Sequence, residues 1–165
     1  QSYEVLKDLP SKDEFLKMRN EKFTQPLENL VSDAFSEFES LAGELGDWYD
    51  NLPESFQQGD KGSQLEDAKS TLEDLQPPDV PQAVQNLPVV YIPSEDVSSR
   101  SARCSDACSM LRAAVEEVND YIEEQTEKAK ESGQEFDADE LETLCSELED
   151  AADNADGVEF PGMYS

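Results

Sequence analysis

The stretch from Leu27 to Leu52, "LENLVSDAFSEFESLAGELGDWYDNL", constrains the chain more than any other, because Leu27, Val31, Ala34, Phe38, Leu41, Leu45, Trp48 and Leu52 follow one another in steps of four and three. Apolar residues at that mean interval wind into a single stripe along a helix. Leu30, Phe35, Ala42 and Tyr49 lie beside the stripe and widen it from a zipper seam toward a core-facing surface. The spacing predicts a helix from about Pro26 to Asn51 with one buried face. Pro26 suits a first helical turn, and Pro53 follows the last seam residue. Gly43 and Gly46 each weaken such a helix by roughly 1 kcal/mol relative to alanine, so packing rather than propensity has to hold it.

Elsewhere the same rhythm divides the chain. Residues 1–24 read as a short helix opened by a capping box, Ser11 with Glu14, and carrying Phe15, Leu16, Met18 and Phe23. Residues 25–76 read as a first acidic hairpin: the long helix, a turn region "LPESFQQGDKGS", and a second helix capped by Ser63 in which Leu65, Ala68, Leu72 and Leu75 recur. Residues 77–93 hold five of the nine prolines and form an extended connector, since proline removes a donor and clashes with the preceding turn. Val89, Val90, Tyr91 and Ile92 make its second half apolar, which favours a packed strap over a short edge strand.

Residues 94–157 read as a second acidic hairpin. Its first helix carries Cys104, Cys108, Leu111, Val115, Val118, Ile122 and Ala129 on one face and stops at Gly133. Its second opens with a capping box at Asp137 and Glu140, carries Leu141, Leu144, Cys145, Leu148, Ala152 and Ala155, and closes at Gly157; residues 158–165 are a short tail. "LEDAKSTLEDL" and "LETLCSELEDA" share their leucine spacing, as two related hairpins would, although chance matches are common in a chain so rich in Leu, Glu and Asp. Helices joined by short loops pack antiparallel, so the expected class is all-α: one bundle of four or five helices, arranged as two hairpins joined by the Pro-rich connector. The rival is a self-associating coiled coil, which the heptad phasing also suits.

Composition enters through charge. The 165 residues carry 40 acids and 12 bases, a formal net charge of −28. Residues 1–24 contain five acids and five bases, so the remainder carries all of the excess. Self-repulsion on that scale opposes a compact state, which implies either a use for the field or a solvent that screens it. A brine-adapted protein is disfavoured by eight lysines against four arginines and by the three cysteines. On the helix containing Val115, the residues Glu116, Asp120, Glu123, Glu127 and Glu131 fall opposite the apolar stripe, with Glu117 and Glu124 on a flank. These seven carboxylates come at roughly one per 3–4 Å, near the spacing of phosphates along a DNA strand. Any Glu-rich helix gives a similar interval, and a run of charge is most often a solvated face.

Enzymatic chemistry has the least support. The chain has no histidine, and no Gly-rich phosphate loop, GxSxG or HExxH motif occurs. The calcium-loop pattern fails around Gly157, where Ala152 and Met163 would occupy ligand positions. The three cysteines fall on apolar helical positions and read as core; a metal site joining Cys104, Cys108 and Cys145 lacks the paired CxxC signature. No cofactor and no metal are expected. Lys12, Lys17, Arg19 and Lys22 are the one dense basic cluster, expected to dock on carboxylates of the first hairpin or to reach a partner, and direct nucleic-acid binding is not expected. "QSYEVLKDLP" has no signal-peptide profile and no stretch has a membrane span's length, so the expected location is cytoplasmic; the first residue, Gln1, leaves open a removed leader.

"GDWYDNLPESFQQGDKGSQLEDA" and "LPVVYIPS" resemble segments of uncharacterised acidic helical proteins encoded by tailed bacteriophages. The resemblance implies a phage origin and either an acidic decoy against host defence proteins or a small virion component. It carries no functional residues. The combined expectation is a non-enzymatic binder whose partner is a basic protein: a DNA mimic occupying the groove of a host DNA-binding protein, with a structural or adaptor role as the alternative.

Overall fold

The structure is a computed structural model that describes residues 12–95 and 98–160. Its described residues form helices α1 (Lys12–Lys22), α2 (Leu27–Asn51), α3 (Glu54–Gln57), α4 (Asp60–Glu73), α5 (Gln82–Gln85), α6 (Arg100–Glu131) and α7 (Asp139–Asp156), with strands β1 (Thr24–Pro26) and β2 (Pro88–Val90). The class is all-α.

Helix α2 is the centre of the fold, and its seam is internal. Leu27, Leu30, Val31, Ala34, Phe35, Phe38, Leu41, Ala42 and Leu45 are buried, while Trp48, Tyr49 and Leu52 are half-buried at its end. Leu65, Ala68 and Leu72 of α4 and seven residues of α6 join the same apolar cluster, as do Leu141, Leu144, Cys145 and Leu148 of α7. Burying this surface at about 25 cal/mol per Å² is the main stabilising contribution.

Three registers fix the directions. Gly46 lies over Lys69, so α4 runs antiparallel to α2, with Tyr49 near Glu66. Arg100 meets Glu44 and Arg103 meets Glu37, while Asp33 shares a depression with Met110, so α6 is also antiparallel to α2. The Cys104 thiol reaches the Ala155 carbonyl and Cys145 reaches that of Val115, which makes α7 antiparallel to α6. The order is therefore up, down, down, up. Two consecutive parallel helices, α4 and α6, need a crossover between them, and the proline-rich segment is that crossover.

The crossover is more structured than its prolines suggest. It contains the single turn α5 and the strand β2, which pairs antiparallel with β1 in the register Thr24↔Val90, Gln25↔Val89 and Pro26↔Pro88. The edge strand disfavoured on sequence is thus formed, because Val89 and Val84 both bury completely and β1 supplies a partner. Leu27 N–H donates to the Leu87 carbonyl at 2.8 Å, so the strap supplies an acceptor at the first turn of α2, where Pro26, the N-cap, has no side-chain oxygen to offer. The Tyr91 hydroxyl donates to Asp106 and ties the strap to α6.

Other boundaries also differ from the sequence reading. Helix α4 begins at Asp60 with Gly59 as its N-cap, one turn before Ser63, whose own N–H donates to the Gly59 carbonyl. The preceding turn region folds into α3. At α7 the capping box is not formed: Asp137 accepts from Asp139 N–H at 3.0 Å in a local turn and Ala138 is the N-cap. Ser11, the side chains of Phe15 and Arg19, and residues 161–165 lie outside the described residues. Among the described side chains of α1 none joins the core cluster, and Met18 is 59% exposed. Lys12, Lys17 and Lys22 make no ion pair among the described residues; the carboxylates of α2 are answered instead by Arg100 and Arg103, which α6 carries alongside them.

Candidate acidic interface

Helix α6 is held at both ends by local chemistry. The Ser99 hydroxyl accepts from Ala102 N–H at 3.0 Å, the ordinary N-cap bond. At the other end Gly133 adopts φ 71°, and Gln134 N–H reaches back to the Ala129 carbonyl at 2.7 Å, closing a Schellman motif. Only glycine takes that left-handed turn without strain.

Between these ends the helix changes character. Cys104, Ala107, Cys108, Leu111, Ala114, Val115 and Val118 are buried, and no later residue of α6 is. Tyr121 and Ile122 are half-buried; Phe136 from the following loop sets its ring edge-on to Tyr121, centroids 6.4 Å apart. The register with α7 brings Asp139 beside this point, and Ile122, Thr126, Phe136 and Asp139 share one depression.

The sequence-selected acids lie along this stretch. Glu116, Asp120, Glu123, Glu124, Glu127 and Glu131 are exposed. Glu117 is half-buried, and burial, followed by the charges of Asp120 and Glu116, raises its carboxyl above the usual range. Glu124 is paired with Lys128 at 3.0 Å, both well exposed. The fold adds acids that the helical stripe did not include: Glu135 and Asp137 in the loop, and Asp139, Glu140 and Glu142 in the first turn of α7, all exposed. The last three sit where the helix dipole favours negative charge. The signal for them was present in the acids that follow Gly133, but the stripe was read on a single helix. Residues 116–142 thus carry twelve acids against two lysines.

The cations cluster toward the opposite end. Arg103 donates to Glu37 at 2.6 Å and grips Glu44 with two bonds of 2.9 and 2.6 Å. This bond to Arg103 lowers the Glu44 carboxyl below its usual range, and the two carboxylates raise the arginine. Arg100 Nε lies 3.3 Å from Glu44, an ion pair without hydrogen-bond alignment, and Arg100 and Lys61 both lie over the Trp48 ring. Arg112 reaches Asp153 and Asp156. The four ion-paired carboxylates that these arginines hold, Glu37, Glu44, Asp153 and Asp156, all lie outside residues 116–142, where two lysines stand among twelve acids.

The three thiols are not brought together. Cys104 and Cys108 donate to carbonyls of α7, whereas Cys145 lies against Val115 and Asn119, about two turns further along α6. Among the described residues no three His, Cys, Asp or Glu side chains are arranged to hold a metal ion, and no helix is long and apolar enough to cross a membrane. Comparison with protein-family models, with curated proteins and with solved structures gives no match.

Proposed function

We propose that this chain acts by binding rather than catalysis, as an acidic decoy whose rigid carboxylate array occupies the basic groove of a nucleic-acid-binding protein. The observation that carries the reading is one end of the bundle, where the second half of α6, its loop and the first turn of α7 present twelve acids with two lysines among them. Seven of these, from Glu116 to Glu131, span about 22 Å of helix, roughly 3–4 Å for each carboxylate, near the 3.4 Å for each phosphate of a DNA strand. A fixed array loses little entropy when it meets a complementary surface, and many ion pairs make such binding steeply salt-dependent. The resemblance to phage-encoded proteins suggests a host DNA-binding or defence protein as the partner.

An adaptor role is the second reading, favoured by the exposure of Phe56, Val90 and Ile92, each above two-fifths. One experiment separates the two. The immobilised chain is offered purified basic DNA-binding proteins at about 0.1 M and 0.5 M salt, then challenged with duplex DNA. The decoy reading expects capture at low salt, displacement by DNA, and weakening when Glu116→Gln, Asp120→Asn, Glu123→Gln, Glu127→Gln and Glu131→Gln are combined. Capture indifferent to both DNA and these substitutions rejects it.

A further inference from the structure

Two of the three thiols form a pair. Cys104 and Cys108 stand four residues apart on α6 and share one helix face. Both point at α7: the Cys104 thiol donates to the Ala155 carbonyl and the Cys108 thiol to that of Ala152, each at 3.4 Å. These acceptors are three residues apart on α7, so the two side chains lie one above the other in the helix contact. The thiols are within hydrogen-bond reach of each other, and that bond, followed by burial, raises Cys104 above the ordinary thiol range. The two residues are 2% and 0% exposed.

What the pair can bind follows from spacing, ligand number and charge. Cβ atoms at this helical interval stand about 5–6 Å apart, whereas a disulfide needs about 3.5–4.5 Å. A direct S–S bond would distort the turn, and a single atom bridging the two sulfurs would not. Zinc takes four ligands, and among the described residues no three His, Cys, Asp or Glu side chains are arranged to hold a metal ion. A soft monovalent cation accepts two thiolates, but its complex leaves a net negative charge in the core of a chain already at −28. Arsenous acid, As(OH)3, avoids burying that charge. It is uncharged near neutral pH, is thiophilic, and reacts with paired thiols without an oxidant.

We infer that Cys104 and Cys108 form a dithiol site for inorganic trivalent arsenic, which bridges the two sulfurs within the intact turn of α6. Two S–H and two As–OH bonds break, two As–S bonds form, and the two thiol protons leave with the two hydroxyls as water. Arsenic stays trivalent, and the product keeps one As–OH and no charge. That hydroxyl is a donor for a carbonyl the thiols release, and the Ala155 carbonyl retains its bond from Val158 N–H at 3.1 Å. Cys145 lies against Val115 and Asn119 and supplies no third sulfur. The site shares no residue with the carboxylate array, so the two proposals fail separately.

The test uses the full chain, refolded from urea with sodium arsenite so that burial does not bar entry, then freed of excess reagent by gel filtration. Elemental mass spectrometry is expected to find one arsenic per chain in the unsubstituted protein and in Cys145→Ala. It is expected to find at least about tenfold less in Cys104→Ala and in Cys108→Ala, which keep one sulfur of the pair. Two measurements on the unsubstituted protein stand apart from any folding defect of the variants. X-ray absorption is expected to show two sulfurs and one oxygen around arsenic, and the loaded chain is expected to keep its helical circular dichroism. Absence of retained arsenic after refolding, equal retention by Cys104→Ala or Cys108→Ala, three sulfurs around the arsenic, or loss of helix on loading overturns the inference.

Discussion

Two glycines within helices should respond in opposite directions to the same substitution. A Cβ built on Gly62 would lie 2.1 Å from the Gln57 carbonyl oxygen and 2.7 Å from its Cα, with no side chain able to swing aside. The first turn of α4 would have to move by about 1 Å from α3, carrying the buried Leu65 with it. Overpacking of that kind costs about 3 kcal/mol, and the better helix propensity of alanine returns about 1, so Gly62→Ala should destabilise by about 2 kcal/mol. At Gly43 the Cβ meets nothing within 4 Å, and Gly43→Ala should stabilise by up to about 1 kcal/mol. With a urea m-value of about 2 kcal/mol/M, the midpoints should move by about −1 M and +0.5 M. Far-UV circular dichroism and the fluorescence of Trp48, the one tryptophan, should report the same midpoints if unfolding is two-state. An upward shift for Gly62→Ala would refute the close approach of α3 and α4.

Further outcomes follow from charge and burial. Arg103→Met removes three charge-assisted bonds to Glu37 and Glu44 at a partly exposed site; after allowance for screening, chemical denaturation should show a loss of about 1–2 kcal/mol. Because the Glu44 carboxyl is lowered in the fold, that contribution is present above the ordinary carboxylate range and disappears as pH falls through the lowered value. Glu117 behaves oppositely: its carboxyl is raised, so its ionised form opposes folding, and the penalty is relieved as pH falls through the raised value. Glu117→Gln should therefore raise the melting temperature at pH 7 and have little effect once the carboxyl is protonated. Burial pushes the Cys145 thiol up to about 11, leaving it roughly 100-fold less thiolate at pH 7 than a free cysteine. Its reaction with a thiol reagent should be correspondingly slow until the protein is unfolded, and fast native labelling would contradict its placement.

The parts of the fold that were legible in sequence are those fixed by local periodicity. The seam of α2, the stripe of α6 as far as Val118 and that of α7 lie on the buried faces their spacing implies, whereas Ile122 and Ala129 at the far end of the α6 stripe are only half-buried. The stop at Gly133 was equally readable, since a left-handed residue there suits glycine. Features that depend on distant partners were not. β2 needed Thr24–Pro26 beside it, and the start of α4 at Asp60 depended on how the preceding turn folded. The same division holds for the acidic surface. Its face on α6 followed from helical angles, whereas the contribution of Glu135, Asp137, Asp139, Glu140 and Glu142 required knowing that the loop and α7 return beside the second half of α6.

Thermal unfolding of the isolated chain, followed by far-UV circular dichroism at about 0.15 M salt, tests the central physical claim most directly. A buried apolar cluster that outweighs the repulsion of a −28 net charge predicts a strongly helical spectrum and one cooperative transition. A coil-like spectrum, or a gradual loss of signal without a transition, would mean that no fixed carboxylate surface exists under those conditions.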